Sequence, residues 1–146
     1  MRMKFLSAGL TGLTIAMLTT IATPAAAENV SFKADLKAAS EVPPNASKGT
    51  GSTAATYDTA SKKLSWTVTF SGLTGTATAA HFHGPADTSA NAGVVVPIPG
   101  AASPMAGSAT LTDAQAADLM AGKWYVNVHT ADNKGGEIRG QVVKDK

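Results

Sequence analysis

The sequence predicts an all-β fold, an antiparallel sandwich or barrel that contains one short helix. Three observations support this prediction. Several segments alternate apolar and polar residues with period two, turn-forming residues separate these segments at short intervals, and a single segment carries the signals of a helix. Many short strands joined by turns are typical of antiparallel sandwiches and barrels.

The strands are predicted from this alternation. The clearest is residues 64–70, LSWTVTF, in which Leu, Trp, Val and Phe alternate with Ser and Thr. Residues 58–63 form a polar turn before it, so this strand and the preceding one are expected to form a hairpin. In chain order, the predicted strands are residues 30–36, 51–57, 64–70, 76–83, 94–98, 107–111, 123–130 and 137–143.

One short helix is predicted to begin after Thr112. The sequence Thr-Asp-Ala-Gln at this point is a capping box, with Thr112 as N-cap and Gln115 at the reciprocal position. Residues 116–121 are rich in alanine and other good helix formers, and Gly122 is a suitable residue for ending the helix.

The first 27 residues predict a secretory signal peptide. Arg2 and Lys4 precede an apolar stretch over residues 5–21, and three alanines at residues 25–27 supply a small-residue cleavage site. We therefore expect a signal peptide at residues 1–27, one domain at residues 28–146, and a periplasmic or secreted location. No membrane span is expected after cleavage, because polar residues and glycine interrupt the apolar stretch.

Charge and cysteine content exclude several classes of function. The chain has 12 basic and 10 acidic residues, and loss of Arg2 and Lys4 with the signal peptide leaves ten of each. Without a basic stripe, a nucleic acid is not an expected partner. The chain has no cysteine, which excludes cysteine nucleophiles and thiolate metal sites.

The three histidines of the chain are the main chemical clue. His81 and His83 are two residues apart in a predicted strand, which places the two residues about 6.6–6.8 Å apart along the strand with both imidazoles on one face. His129 lies in another predicted strand. Phe82 is the core candidate of the first strand, and Trp124, Val126 and Val128 are those of the second. All three histidines are therefore expected to face an outer or rim surface that a metal ion can reach.

The last two strands suggest residues that surround this site. If Val128 pairs with Ile138, both facing the core, His129 lies opposite Glu137 and Asn127 lies opposite Arg139. Glu137 is then placed to accept the second ring N–H of a ligating histidine. Arg139 is placed near the open coordination position, where it would attract small anions.

Three neutral imidazoles suit copper or zinc, and copper is favoured because no obvious fourth ligand for a tetrahedral zinc site is present apart from Asp87 in a loop. The alternative is that the histidines are surface polar residues or backbone hydrogen-bond partners. For Glu137 and Arg139 the corresponding alternative is a cross-strand salt bridge.

Several segments together resemble one family. They are EVPP at residues 41–44, AHFHGPA at residues 80–86, AGKWYVNVHT at residues 121–130 and GGEIRGQ at residues 135–141. They occur in the order seen in CHRD domains, which are named after chordin and are also found in many exported bacterial proteins. The resemblance covers residues 30–143 and implies an exported single domain with an immunoglobulin-like β-sandwich.

The His-x-His pattern with a distant third histidine also resembles part of the copper site of copper/zinc superoxide dismutases, but this chain lacks the bridging histidine and the cysteine pair.

These observations leave three functions open. The first is an exported protein that binds a transition metal through His81, His83 and His129, for sequestration or redox handling. The second is a metal-free extracellular module that binds an envelope or extracellular protein. The third is a copper-dependent, dismutase-like oxidoreductase in which Arg139 steers an anion to the metal. An enzyme is the less favoured reading, and no Ser-His-acid order indicates hydrolysis.

Overall fold

The structure is a computed structural model that describes residues 26–146. The predicted signal peptide therefore lies, except for its last two residues, outside the described residues. The described chain contains one helix, α1 (Asp113–Met120), and a 3-10 turn at Ala38–Ser40. Its strands are β1 (Asn29–Lys37), β2 (Thr50–Asp58), β3 (Lys63–Ser71), β4 (Ala77–His83), β5 (Val94–Ile98), β6 (Met105–Thr110), β7 (Tyr125–Thr130), β8 (Ile138–Gln141) and β9 (Val143–Lys144).

All the strands belong to one antiparallel sheet with the order β5-β4-β7-β8-β1-β2-β3-β6, and β9 pairs with β1 beside β8. The two end strands, β5 and β6, approach each other, so the sheet curls into a barrel. Trp66 of β3 and Phe82 of β4 make an edge-to-face contact across its interior, with ring centroids 5.2 Å apart. An all-β barrel-like fold with one short helix is confirmed. Its immunoglobulin-like character stays a prediction.

The core follows from the period-two pattern. In β3, Leu64, Trp66 and Val68 are buried, whereas Ser65 and Thr67 between them are exposed. Burying an aliphatic or aromatic side chain of this size contributes about 1.5–3 kcal/mol. The same face of the sheet supplies the other large core side chains, namely Phe32, Leu36, Phe82, Met105, Trp124, Val126, Val128 and Ile138, and Leu119 of α1 joins them.

The sequence signals for the start and end of the helix agree with the structure. Thr112 caps α1, its hydroxyl accepts a hydrogen bond from the Gln115 backbone N–H, and the Gln115 side chain completes the capping box. Gly122 follows the helix with a φ of 72°, a conformation that favours glycine.

The predicted pairing of Val128 with Ile138 is confirmed. The predicted strand at residues 107–111 is wrong by two residues at its start, because pairing with β3 extends back to Met105 opposite Val68.

Among residues 26–146, no helix is both long enough and apolar enough to cross a membrane.

Gly84, directly after β4, is expected to tolerate no side chain. A Cβ at this position would lie 2.5 Å from Cδ1 of the buried Trp124 and 3.0 Å from the Lys123 carbonyl oxygen. We predict that Gly84→Ala lowers the free energy of unfolding by about 1–3 kcal/mol, as overpacking usually does. Urea denaturation measures this. Gly75→Ala is the matched control, since a Cβ there meets nothing within 4 Å. Equal stabilities of the two variants would contradict the prediction.

Candidate metal centre

The antiparallel pairing of β4 with β7 brings the three histidines together. In this register Ala79 lies opposite His129, and His81 lies opposite Asn127. The imidazoles of His81, His83 and His129 each offer a nitrogen, and these nitrogens all lie within 4.8 Å of one another. The shortest separation is 3.1 Å, between His81 Nδ1 and His129 Nε2. Three ligands from two strands therefore meet at one place.

Two loops cover the face that the alternation pattern marks as outward. The loop between β4 and β5 and the turn between β7 and β8 supply backbone contacts to the imidazoles. His83 is only 8% exposed, while His81 and His129 are half-buried. The expectation of an open outer surface therefore needs correction, because β7 is buried on both of its faces and the histidines line a partly covered recess.

The same loops hold two imidazoles in one tautomer. His83 Nδ1 lies 2.9 Å from the carbonyl oxygen of Ala92, and His129 Nδ1 lies 2.9 Å from that of Lys134. A carbonyl can only accept a hydrogen bond, so each Nδ1 is placed to donate, and a neutral ring with its proton on Nδ1 has its lone pair on Nε2. Metal-binding histidines almost always have such a partner on the other ring nitrogen. The His83 ring is further fixed by stacking on Tyr125, with the planes 3° apart.

The surroundings disfavour the protonated form of two imidazoles. Burial lowers the pKa of His81, and the neighbouring His129 and His83 lower it further. Burial also lowers the pKa of His129 and outweighs the opposite effect of its hydrogen bond to Lys134. Neutral imidazole is the form that binds metal ions.

Asn127 lies beside the histidines, as expected from the register. Its Oδ1 is 2.9 Å from His83 Nε2, and its Nδ2 is 3.5 Å from the carbonyl oxygen of Gly135. The side chain is buried, with 3% of the residue exposed. Of the three residues predicted to surround the imidazoles, Asn127 is the one that the structure places against a histidine.

Glu137 does not contact an imidazole, so its expected role beside His129 needs correction. Its carboxylate accepts hydrogen bonds from the hydroxyls of Ser47, Thr74 and Thr130 and from the Thr74 backbone N–H. Burial acts to raise the pKa of Glu137, but these four donors outweigh it and lower the pKa to about 2. The physical reason is that Glu137 precedes β8 in a bend, where its side chain no longer follows strand alternation. The backbone carbonyls of Ala92 and Lys134, and not Glu137, face the second ring nitrogens of two of the histidines.

Arg139 also does not lie at the open coordination position that was expected for it. The residue is 1% exposed, and its guanidinium donates to Asn91 Oδ1 and to the carbonyl oxygens of Asp87 and Ala90 at 2.8–3.0 Å. It also stacks on the Tyr125 ring, with Cζ 3.5 Å from the ring centroid. These contacts fix the loop between β4 and β5 and leave the cation no access to solvent, so the expected attraction of small anions needs correction.

Glu41 is a buried acid near the site that the sequence patterns did not mark. It is 5% exposed, and its Oε1 finds no hydrogen-bond partner among residues 26–146. The Glu41 carboxyl and Asn127 Nδ2 share the space that a side chain at Gly136 would occupy, which explains the glycine. The one available signal was its place in the EVPP segment, because residues 38–49 carry no periodicity.

The pKa of Glu41 predicts a dependence of stability on pH. Burial raises this pKa from 4.5 to about 7, although Arg139 and the Val42 backbone N–H act in the opposite direction. A folded-state pKa above the unfolded value means that stability is greatest below pH 4.5 and declines as the pH rises to about 7. The decline is on the order of 3 kcal/mol.

We predict that Glu41→Gln removes this decline, so the variant gains stability relative to the wild type between pH 5 and pH 8. Urea denaturation at the two pH values measures the difference. Glu137→Gln is the control, because a carboxyl with a pKa of about 2 stays charged over this interval and its loss should cost the same at both pH values. Parallel pH profiles for Glu41→Gln and the wild type would contradict the prediction.

Comparison with known proteins gives one match. The family model described as CHRD domain matches residues 32–142, which span β1 to β8 and include all three histidines. Searches of the curated proteins and of the solved structures found no match for this chain.

Proposed function

The chain belongs to the CHRD domain family, and we propose that it is an exported member that binds one transition-metal ion through His81, His83 and His129. Copper is the favoured ion and zinc the second. The observation that carries the proposal is the meeting of three imidazole nitrogens within 4.8 Å. Export, to the periplasm or outside the cell, rests on the signal features of residues 1–27.

The tautomers support this proposal beyond simple proximity. His83 Nδ1 and His129 Nδ1 each lie 2.9 Å from a backbone carbonyl oxygen, and a proton on each Nδ1 directs the lone pair of Nε2 toward the other imidazoles. Backbone carbonyls hold the rings whatever side chains the loops carry. A group of histidines that served only as surface polar residues would not need this arrangement.

The spacing of the nitrogens is close to that of a metal-bound set. At metal–nitrogen distances of 2.0–2.1 Å, tetrahedral ligands lie about 3.3 Å apart. His81 Nδ1 and His129 Nε2 are already 3.1 Å apart, and all three ligand nitrogens lie within 4.8 Å of one another. Imidazole ligands suit both ions, and copper(II) is the ion that such sites hold most tightly among the divalent first-row metals.

Sequestration or storage of the ion is favoured over dismutase-like catalysis. The oxidoreductase hypothesis used Arg139 to steer an anion to the metal, and the guanidinium of Arg139 is instead buried against Tyr125 and the loop between β4 and β5. A partly covered recess also slows exchange of the ion with solvent, which suits a protein that retains a metal.

Titration of the purified protein with Cu(II) and with Zn(II) tests the proposal. We expect one ion per chain and a loss of at least 100-fold in affinity in the double variant His81→Ala/His83→Ala. Lys134→Ala is the matched control, because Lys134 contacts His129 only through its backbone carbonyl, and this variant should bind as the wild type does.

An unchanged metal stoichiometry in the double variant would overturn the proposal. The metal-free interaction module would then be the better reading, and a partner captured from envelope fractions with equal yield in the presence and absence of a chelator would support it.

A further inference from the structure

We infer that Asn127 Oδ1 is the fourth protein ligand of the metal, so that the site holds the ion with three imidazole nitrogens and one amide oxygen. This inference rests on the proposed three-histidine site. The contact that points to it is the distance of 2.9 Å between Asn127 Oδ1 and His83 Nε2, which is the spacing of two neighbouring ligands on one ion. Asn127 is on β7, two residues before His129, and reaches the same recess.

The surroundings of the amide fix which of its ends faces the histidines. The nitrogen end, Nδ2, faces the carbonyl oxygen of Gly135 at 3.5 Å. The buried Glu41 carboxyl, whose Oε1 has no hydrogen-bond partner among residues 26–146, borders the same space beside Gly136. The Gly135 carbonyl oxygen can only accept a hydrogen bond, so it faces the N–H end of the amide. The oxygen end is therefore the one directed at His83.

This orientation places two acceptors face to face. A neutral imidazole has one N–H, and both ring nitrogens of His83 face an oxygen acceptor, Nδ1 that of Ala92 and Nε2 that of Asn127. His83 can therefore donate to only one of the two, and with its proton on Nδ1 the lone pairs of Nε2 and Asn127 Oδ1 point toward each other at 2.9 Å. The pair is buried, since His83 is 8% and Asn127 3% exposed, so bulk water screens it poorly. A metal cation bound by both atoms turns this repulsion into attraction.

The spacing of the four atoms favours a particular ion. Ligand atoms about 2.0–2.1 Å from a metal and 2.9–3.1 Å from each other subtend angles of about 90–100°. Two pairs have this spacing, namely His83 Nε2 with Asn127 Oδ1 and His81 Nδ1 with His129 Nε2. Angles near 90° with nitrogen and oxygen ligands are typical of tetragonal copper(II), whereas zinc prefers a tetrahedron. An amide oxygen at this spacing from His83 therefore suits copper(II) better than zinc.

Two substitutions at position 127 test the inference with Cu(II). Asn127→Leu removes the oxygen at similar volume. We expect its dissociation constant for Cu(II) to be 10- to 100-fold larger than that of the wild type, and its Cu(II) electron paramagnetic resonance spectrum to change. Asn127→Asp keeps an oxygen ligand and adds charge, so we expect binding at least tenfold tighter than in the wild type. Asn133→Asp places the same charge on the neighbouring turn without contact to a histidine, and it should change affinity less than threefold.

The outcomes separate the inference from the proposed function. A wild-type affinity and spectrum in Asn127→Leu, or weaker binding in Asn127→Asp, would show that Asn127 is not a ligand while leaving the histidine site standing. Equal tightening in both aspartate variants would also overturn the inference, because it would reflect charge alone. The proposed function itself is tested separately, by metal binding of the double variant His81→Ala/His83→Ala. If Asn127→Leu fails to fold, the comparison of the two aspartate variants decides.

Discussion

The register of β4 against β7 is the constraint on which the rest of the structure depends. It places Ala79 opposite His129 and His81 opposite Asn127, so that side chains 48 residues apart in the chain meet within 3.1 Å. The apolar alternation enforces this register, because a slip of one residue would turn Val126 and Val128 out of the core and the histidine into it. The core residues of β7 therefore position the site on its opposite face.

The covering loops form a second layer of this arrangement, and buried polar groups hold them in place. Arg139 binds the loop between β4 and β5 through two carbonyl oxygens. Glu137 accepts hydrogen bonds from the hydroxyls of Ser47, Thr74 and Thr130. One charged residue on either side of Ile138 thus fixes a different part of the chain. The polar network serves the site by shaping the recess, although neither side chain reaches the imidazoles.

Period-two alternation predicted the strands, the core side chains Leu64, Trp66 and Val68 and the pairing of Val128 with Ile138, because each follows from short-range pattern. The convergence of the histidines was predicted as well, since it follows from the outward faces of the two strands once β4 and β7 are neighbours. The roles of Glu137 and Arg139 were not, because loop paths depend on contacts across the chain. The burial of Glu41 did not follow from any alternation pattern, since it arises from packing against Gly136, far away in sequence.

X-ray absorption spectroscopy of the protein loaded with one equivalent of Cu(II) tests the central claim most directly, because imidazole ligands give outer-shell scattering that can be counted. The expected result is three imidazoles about 2.0 Å from a single copper ion. A spectrum with one imidazole or none, or with copper spread over sites of mixed oxygen ligands, would contradict a three-histidine centre.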